Sequence, residues 1–225
     1  MKLKSAADGF EFEAYHVTPP DARRGGLVLV QEIFGVTAGI RALADSFAEE
    51  GYEVLAPSMF DRSEPGFEAE RDAAGIAKGR AYRGAQPWDQ SMGDIQACID
   101  ALQGPVFITG FCYGGSIAWL AAARCEGLAA ASCFYGGQIA GFAGEQPKVP
   151  TILHFGKIDA HITPDQWDLI QAAHPDLPLY LYDADHGFFS TDRPDYDPEP
   201  ATLARLRTLQ LFHKAASGRD GESSF

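Results

Sequence analysis

Cys112 is the residue in this sequence with the most chemistry around it. It lies in the run Thr109-Gly110-Phe111-Cys112-Tyr113-Gly114-Gly115, after an apolar stretch and before an alanine-rich helical pattern. The spacing G-x-C-x-G is that of a nucleophile elbow with sulfur in place of a hydroxyl. Such a turn holds its nucleophile in an uncommon backbone conformation. Glycines two residues away on each side leave room where a Cβ would collide. The turn also puts the thiol at a helix N-terminus, where backbone dipoles favour a developing anion. The bland alternative is a glycine-rich turn around a buried cysteine.

A thiol nucleophile needs a base, and the base needs an orienting group. Asp183-Ala184-Asp185-His186-Gly187-Phe188 supplies His186 after the last apolar strand. Phe155-Gly156-Lys157-Ile158-Asp159 supplies Asp159 after the strand before it. His186 would accept the thiol proton, and Asp159 would fix the tautomer and balance the imidazolium. Asp165, Asp183 and Asp185 compete for the acid role and read as solvated loop or cap carboxylates. His154 lies inside a strand and reads as a core histidine. His161 and His174 fall in segments expected at the surface.

Glu32 ends another apolar strand, in Gln31-Glu32-Ile33-Phe34-Gly35-Val36. A carboxylate there is either solvated or paired. The backbone N–H groups of Ile33 and Tyr113 are oxyanion-hole candidates, one from this loop and one from the residue after the nucleophile.

These side chains require a framework of alternating elements. Strands are expected over 10–17 (an edge strand), 27–33, 52–56, 105–109, 128–135, 151–155 and 179–182. Helices are expected over 40–50, 89–102, 115–124, 163–173 (Thr163 as N-cap, Pro164 first) and 200–216, with a helical piece near 68–81 inside a long loop over 58–87. The alternation implies an α/β fold with a mostly parallel central sheet covered by helices on both faces. Active sites in such sheets lie beyond the carboxyl ends of the strands, where Glu32, Cys112, Asp159 and His186 all fall. The chain order nucleophile, acid, histidine is that of the α/β-hydrolases. One such domain is expected over 1–225, with no large cap domain.

The bulk numbers restrict the partners. Net charge is −13 over 225 residues, which argues against nucleic acid and anionic membranes because both need a basic surface. No apolar run has the length of a signal peptide or a membrane span. Cys98, Cys125 and Cys133 have no C-x-x-C pairing and no histidine at zinc-ligand spacing, so they read as core residues in a reducing cytoplasm. No metal site or cofactor is expected.

QEIFGV at 31–36 and GFCYGG at 110–115, with the GKID and DADHGF segments, resemble the motifs of the dienelactone hydrolase family (carboxymethylenebutenolidases). The resemblance spans about Phe10 to Leu211. It implies a cysteine-dependent hydrolase of a small lactone or ester, such as dienelactone opened to maleylacetate during aromatic degradation. It implies an acyl-enzyme on Cys112, and no metal or organic cofactor. It further implies that Glu32 approaches the resting thiol and takes its proton when an anionic substrate rearranges the local salt bridges.

The family's substrate carries a carboxylate, and the resemblance places its cationic contacts on two segments. Lys78 stands where the family has an arginine four residues before a tyrosine, here Tyr82; Arg80 and Arg83 are nearby alternatives. Ser190 stands where a second arginine is found, with Arg193 nearest. Tyr82 would orient the lactone or simply pack on its helix. These departures keep a neutral ester open as the substrate, and a non-catalytic small-ligand binder remains a further alternative. A monomer or small homo-oligomer is expected.

Overall fold

A computed structural model describes residues 1–220. Positions 221–225 of the expected domain lie outside the described residues. Eight strands form one mixed sheet in the order β1-β2-β4-β3-β5-β6-β7-β8. They are Lys2–Lys4 (β1), Glu11–Val17 (β2), Gly25–Val30 (β3), Tyr52–Pro57 (β4), Val106–Phe111 (β5), Leu128–Phe134 (β6), Thr151–Gly156 (β7) and Leu179–Tyr182 (β8). β1 and β2 pair antiparallel with their neighbours, and every pairing from β4 to β8 is parallel.

Helices Ala38–Glu49 (α1), Ala73–Ala85 (α2), Trp88–Ala101 (α3), Tyr113–Arg124 (α4), Pro164–Ala173 (α5) and Pro198–Asp220 (α6) follow the strands and cover both faces. α1 and α6 are joined by Arg205, which donates to Ser46 Oγ and O. α3 and α4 pack on each other. This is an α/β-hydrolase fold without a large cap. β3, β5, β6 and β7 are buried at every position, which is why they read as continuous apolar runs rather than alternating ones. Each fully buried Val, Leu or Phe among them contributes roughly 1.5–3 kcal/mol.

Three local readings need correction. The expected edge strand over 10–17 is internal: β1, only three residues, covers it. The expected helical piece near 68–81 begins later, at Ala73, where Asp72 caps it by accepting from the Gly75 N–H. His174 is buried rather than at the surface; it ends α5 and donates through Nε2 to Ala143 O at 2.7 Å. The expected start of α5 holds: Thr163 is its N-cap, and Gln166 accepts the Thr163 N–H. No helix among the described residues is long and apolar enough to cross a membrane.

Candidate active site

β5 delivers Cys112 to the carboxyl edge of the sheet. Its backbone has φ 55° and ψ −115°, a left-handed conformation that costs a non-glycine residue of order 1–3 kcal/mol. The surroundings hold it there. Its N–H donates to Phe134 O at 3.1 Å, and its carbonyl accepts from the Gly115 and Ser116 N–H groups. A Cβ on Gly110 would sit 2.0 Å from Gly114 O, and one on Gly114 would sit 2.3 Å from Val30 O. The glycine spacing is therefore the condition for strand and helix to approach closely enough to force the turn.

His186 and Asp159 come from the loops after β8 and β7. Those loops are tied together by Lys157 N–H to Tyr182 O at 2.7 Å and Ile158 N–H to Ala184 O at 3.2 Å. The tie sets the separation of the two side chains: His186 Nδ1 lies 2.7 Å from Asp159 Oδ2. Asp159 Oδ1 accepts the His161 N–H at 2.7 Å, so both carboxylate oxygens are engaged. Burial alone would disfavour a charged His186 ring. Coulombic attraction to Cys112, hydrogen bonds to Asp159 and Cys112, and the Asp159 charge outweigh it and push the pKa up to about 10. The imidazole, sulfur and carboxylate thus form one electrostatic unit.

The competing residues have other partners. Asp183 pairs with Lys157 at 2.8 Å, Asp185 accepts the His186 N–H at 2.6 Å, and Asp165 is exposed in the first turn of α5. His154 is buried between Tyr182 Oη (2.8 Å) and Thr208 Oγ1 (3.4 Å). His161 packs edge-on to His186 at 5.4 Å between centroids and reaches the same pocket. Cys98, Cys125 and Cys133 are buried, and burial raises the pKa of each thiol.

The loop after β3 is shaped by Gln31, whose Oε1 accepts the Met59 N–H and whose Nε2 donates to Glu32 O. Glu32 is 1% exposed, and its two oxygens face two guanidinium groups, Arg71 at 2.8 Å and Arg193 at 3.1 Å. No hydrogen bond joins Glu32 to Cys112 among the described residues. Its carboxylate is held instead in the double clamp of Arg71 and Arg193. Arg71 also pairs with Asp192 at 2.5 Å. Arg71 lies 39 positions from Glu32 in a loop of mixed charge, where no local pattern marks it as a partner.

A cavity of about 320 Å³ opens at Cys112 and His186, with Ile33, Tyr113 and Arg193 in its wall. The N–H groups of Ile33 and Tyr113 make no hydrogen bond to another described residue, as open oxyanion donors would. Arg80 and Arg83 line the same cavity. Lys78 and Tyr82 do not: Lys78 Nζ pairs with Glu64 at 2.6 Å, and Tyr82 Oη donates to the same carboxylate. The expected roles of Lys78 and Tyr82 in binding substrate are corrected on this ground. Positions 76, 80 and 83 share one face of α2, and 78 and 82 share the opposite one. Tyr135 was also missed. It follows β6 at φ 35°, is fully buried, and lies 4.9 Å from the His186 ring. The only available signal was its place at the end of a strand before Gly136-Gly137. Among the described residues no group of three His, Cys, Asp or Glu is arranged to hold a metal.

The model of the dienelactone hydrolase family matches residues 12–216. The carboxymethylenebutenolidase of Pseudomonas sp. (strain P51) is 30% identical, over 93% of this chain and 92% of its own. A candidate carboxymethylenebutenolidase of Synechocystis sp. is 33% identical, over 83% of this chain and 84% of its own. The crystal structure of a candidate dienelactone hydrolase from Klebsiella pneumoniae superposes with a TM-score of 0.82 at 28% identity, covering 94% of this chain and 97% of that one. Likeness over nearly the whole length, joined to the elbow and the pocket above it, leads to one statement: the chain belongs to the dienelactone hydrolase family and is a lactone or ester hydrolase.

Proposed function

We propose that this protein hydrolyses a small carboxylate-bearing lactone or ester through a Cys112–His186–Asp159 triad. Dienelactone, yielding maleylacetate, is the model substrate. The observation that carries the reading is the strained Cys112 beside an imidazole whose other nitrogen lies 2.7 Å from a buried carboxylate. The raised proton affinity of His186 supports its taking the Cys112 proton as sulfur attacks. Sulfur attacks the substrate carbonyl, and the oxyanion that forms takes hydrogen bonds from the Ile33 and Tyr113 N–H groups. Collapse breaks the ring or ester C–O bond. The leaving oxygen takes the proton from His186, leaving a thioester on Cys112. Neutral His186 then accepts a proton from water as that water attacks the thioester. The carboxylic acid departs, and sulfur takes its proton back from His186. Asp159 keeps the Nδ1 proton in place throughout. Glu32, held by Arg71 and Arg193, serves as the anionic anchor of the loop that presents Ile33.

The test is Cys112→Ala. Turnover of cis-dienelactone and of an aryl ester such as 4-nitrophenyl acetate should fall by roughly a thousandfold or more, with an unchanged circular dichroism spectrum. Full turnover by a folded variant would end the reading. A neutral ester remains the second reading, favoured by Lys78 being taken up by Glu64 and by Ser190 lying against Tyr135 Oη at 3.4 Å. Comparing kcat/KM on dienelactone and on neutral esters separates the two.

A further inference from the structure

We infer that His161 is a second catalytic histidine, whose ring donates a hydrogen bond to the leaving oxygen of the ester or lactone while His186 protonates it; this rests on the hydrolytic reading above. His161 stands two residues after Asp159, in the loop that follows β7. That one carboxylate places both imidazoles. Asp159 Oδ2 lies 2.7 Å from His186 Nδ1, and Asp159 Oδ1 accepts the His161 N–H at 2.7 Å. The His161 ring then stands nearly perpendicular to that of His186, at 86° and 5.4 Å between centroids.

The surroundings leave this ring available to a bound molecule. His161 is exposed and lies in the wall of the cavity with Cys112 and His186, and no described residue hydrogen-bonds either of its ring nitrogens. In either charge state the ring carries at least one N–H donor. The cationic side chains of the cavity are placed differently. Arg193 is taken by Glu32 and Asp195. Arg80 and Arg83 come from α2, which packs through Gly79 on the carbonyl of Ile33 and so belongs to the oxyanion side. His161 borders the His186 side.

The chemistry decides which substrate atom meets it. The leaving oxygen must come within hydrogen-bond reach of the His186 nitrogen that protonates it. A ring packed against His186 therefore borders the leaving oxygen, whereas the carbonyl oxygen turns to the Ile33 and Tyr113 N–H groups. As the C–O bond breaks, its electron pair moves onto the leaving oxygen and the His186 proton crosses to it. The His161 N–H stabilises the charge not yet neutralised and keeps its own proton. The benefit grows with the basicity of the leaving oxygen, so His161 sets how unactivated an ester the enzyme can open.

Any substitution except proline keeps the main-chain N–H at 161 that Asp159 holds, so the triad survives removal of the ring. Wild type, His161→Ala and His161→Phe are compared on 4-nitrophenyl, phenyl and trifluoroethyl acetates, in order of increasingly poor leaving groups. The quantity read is kcat/KM, which reports the acylation step. His161→Ala should leave 4-nitrophenyl acetate within about twofold and lower trifluoroethyl acetate about tenfold or more, the size expected for a hydrogen bond to a charged oxygen. Phenyl acetate should fall between them. His161→Phe, which keeps an aromatic ring against His186 but has no donor, should match alanine. Equal losses on all the esters, the mark of a purely structural role, overturn the assignment. An unchanged series, or a phenylalanine variant that behaves as wild type, overturns it too. A wild-type protein that hydrolyses none of the esters strikes the hydrolytic reading and the role of His161 with it, whereas wild-type turnover with unchanged variants strikes His161 alone.

Discussion

Gly79 of α2 lies against the backbone carbonyl of Ile33: a Cβ at position 79 would stand 2.1 Å from that oxygen. The contact brings α2 down onto the loop that carries the proposed oxyanion donor, the Ile33 N–H, so helix and loop are set by one van der Waals surface. In an ordinary helix interior, Gly→Ala adds about 1 kcal/mol of stability. Here the clash reverses the sign. Gly79→Ala should lower the melting temperature by several degrees. It should also cut kcat about tenfold or more as the Ile33 N–H is displaced, since losing one oxyanion donor altogether costs about 10²–10³. Steady-state kinetics on an aryl ester checks it. An unchanged kcat would show that α2 does not position the donor.

The phase of α2 is also where sequence reading stopped. Cys112, Asp159 and His186 were legible because each follows an apolar strand, and because G-x-C-x-G can only be a sharp turn between strand and helix. The N-terminal end of α5 was legible for a similar local reason, the Thr163-Pro164 pair. Nothing local tells which face of α2 meets the pocket. That is decided by Gly79 against Ile33 and by Glu64 drawing off Lys78 and Tyr82, all contacts between distant segments. β1 escaped notice because three residues at a sheet edge carry no measurable alternation. Tyr135 escaped because its strained φ arises from packing, not from a turn-forming residue.

Arg71 and Glu32 give a second test. Glu32 is almost wholly buried, and removing one of its two guanidinium partners leaves a carboxylate short of compensation. Arg71→Gln should lower the unfolding free energy by about 1–3 kcal/mol in urea titration. In the double variant with Glu32→Gln the losses should not add, because the second change removes the buried charge that the first left stranded. Strictly additive losses would mean that the ion pair contributes nothing beyond its separate members.

His154 sets the response to acid. It is fully buried, stacked on Phe134 at 4.4 Å between centroids. Burial, reinforced by the nearby charge of Arg207, lowers its pKa to about 3 from the ordinary 6.5. Below pH 6.5 the unfolded chain takes up this proton and the folded chain does not. Stability is therefore fully present above pH 6.5 and falls as pH drops from 6.5 toward 3, by up to about 1.4 kcal/mol per unit at the steepest. His186 has the opposite sign. Its raised pKa adds stability below pH 6.5, and that addition fades as pH climbs to about 10. Urea midpoints measured from pH 4 to 10 should thus decline toward both ends. His154→Gln should flatten the acid limb alone, after allowance for its lower stability at neutral pH. Asp159→Asn should flatten the alkaline limb alone, because it removes one of the two partners that hold the imidazolium. An acid limb just as steep in His154→Gln would assign the acid response to the carboxylates instead.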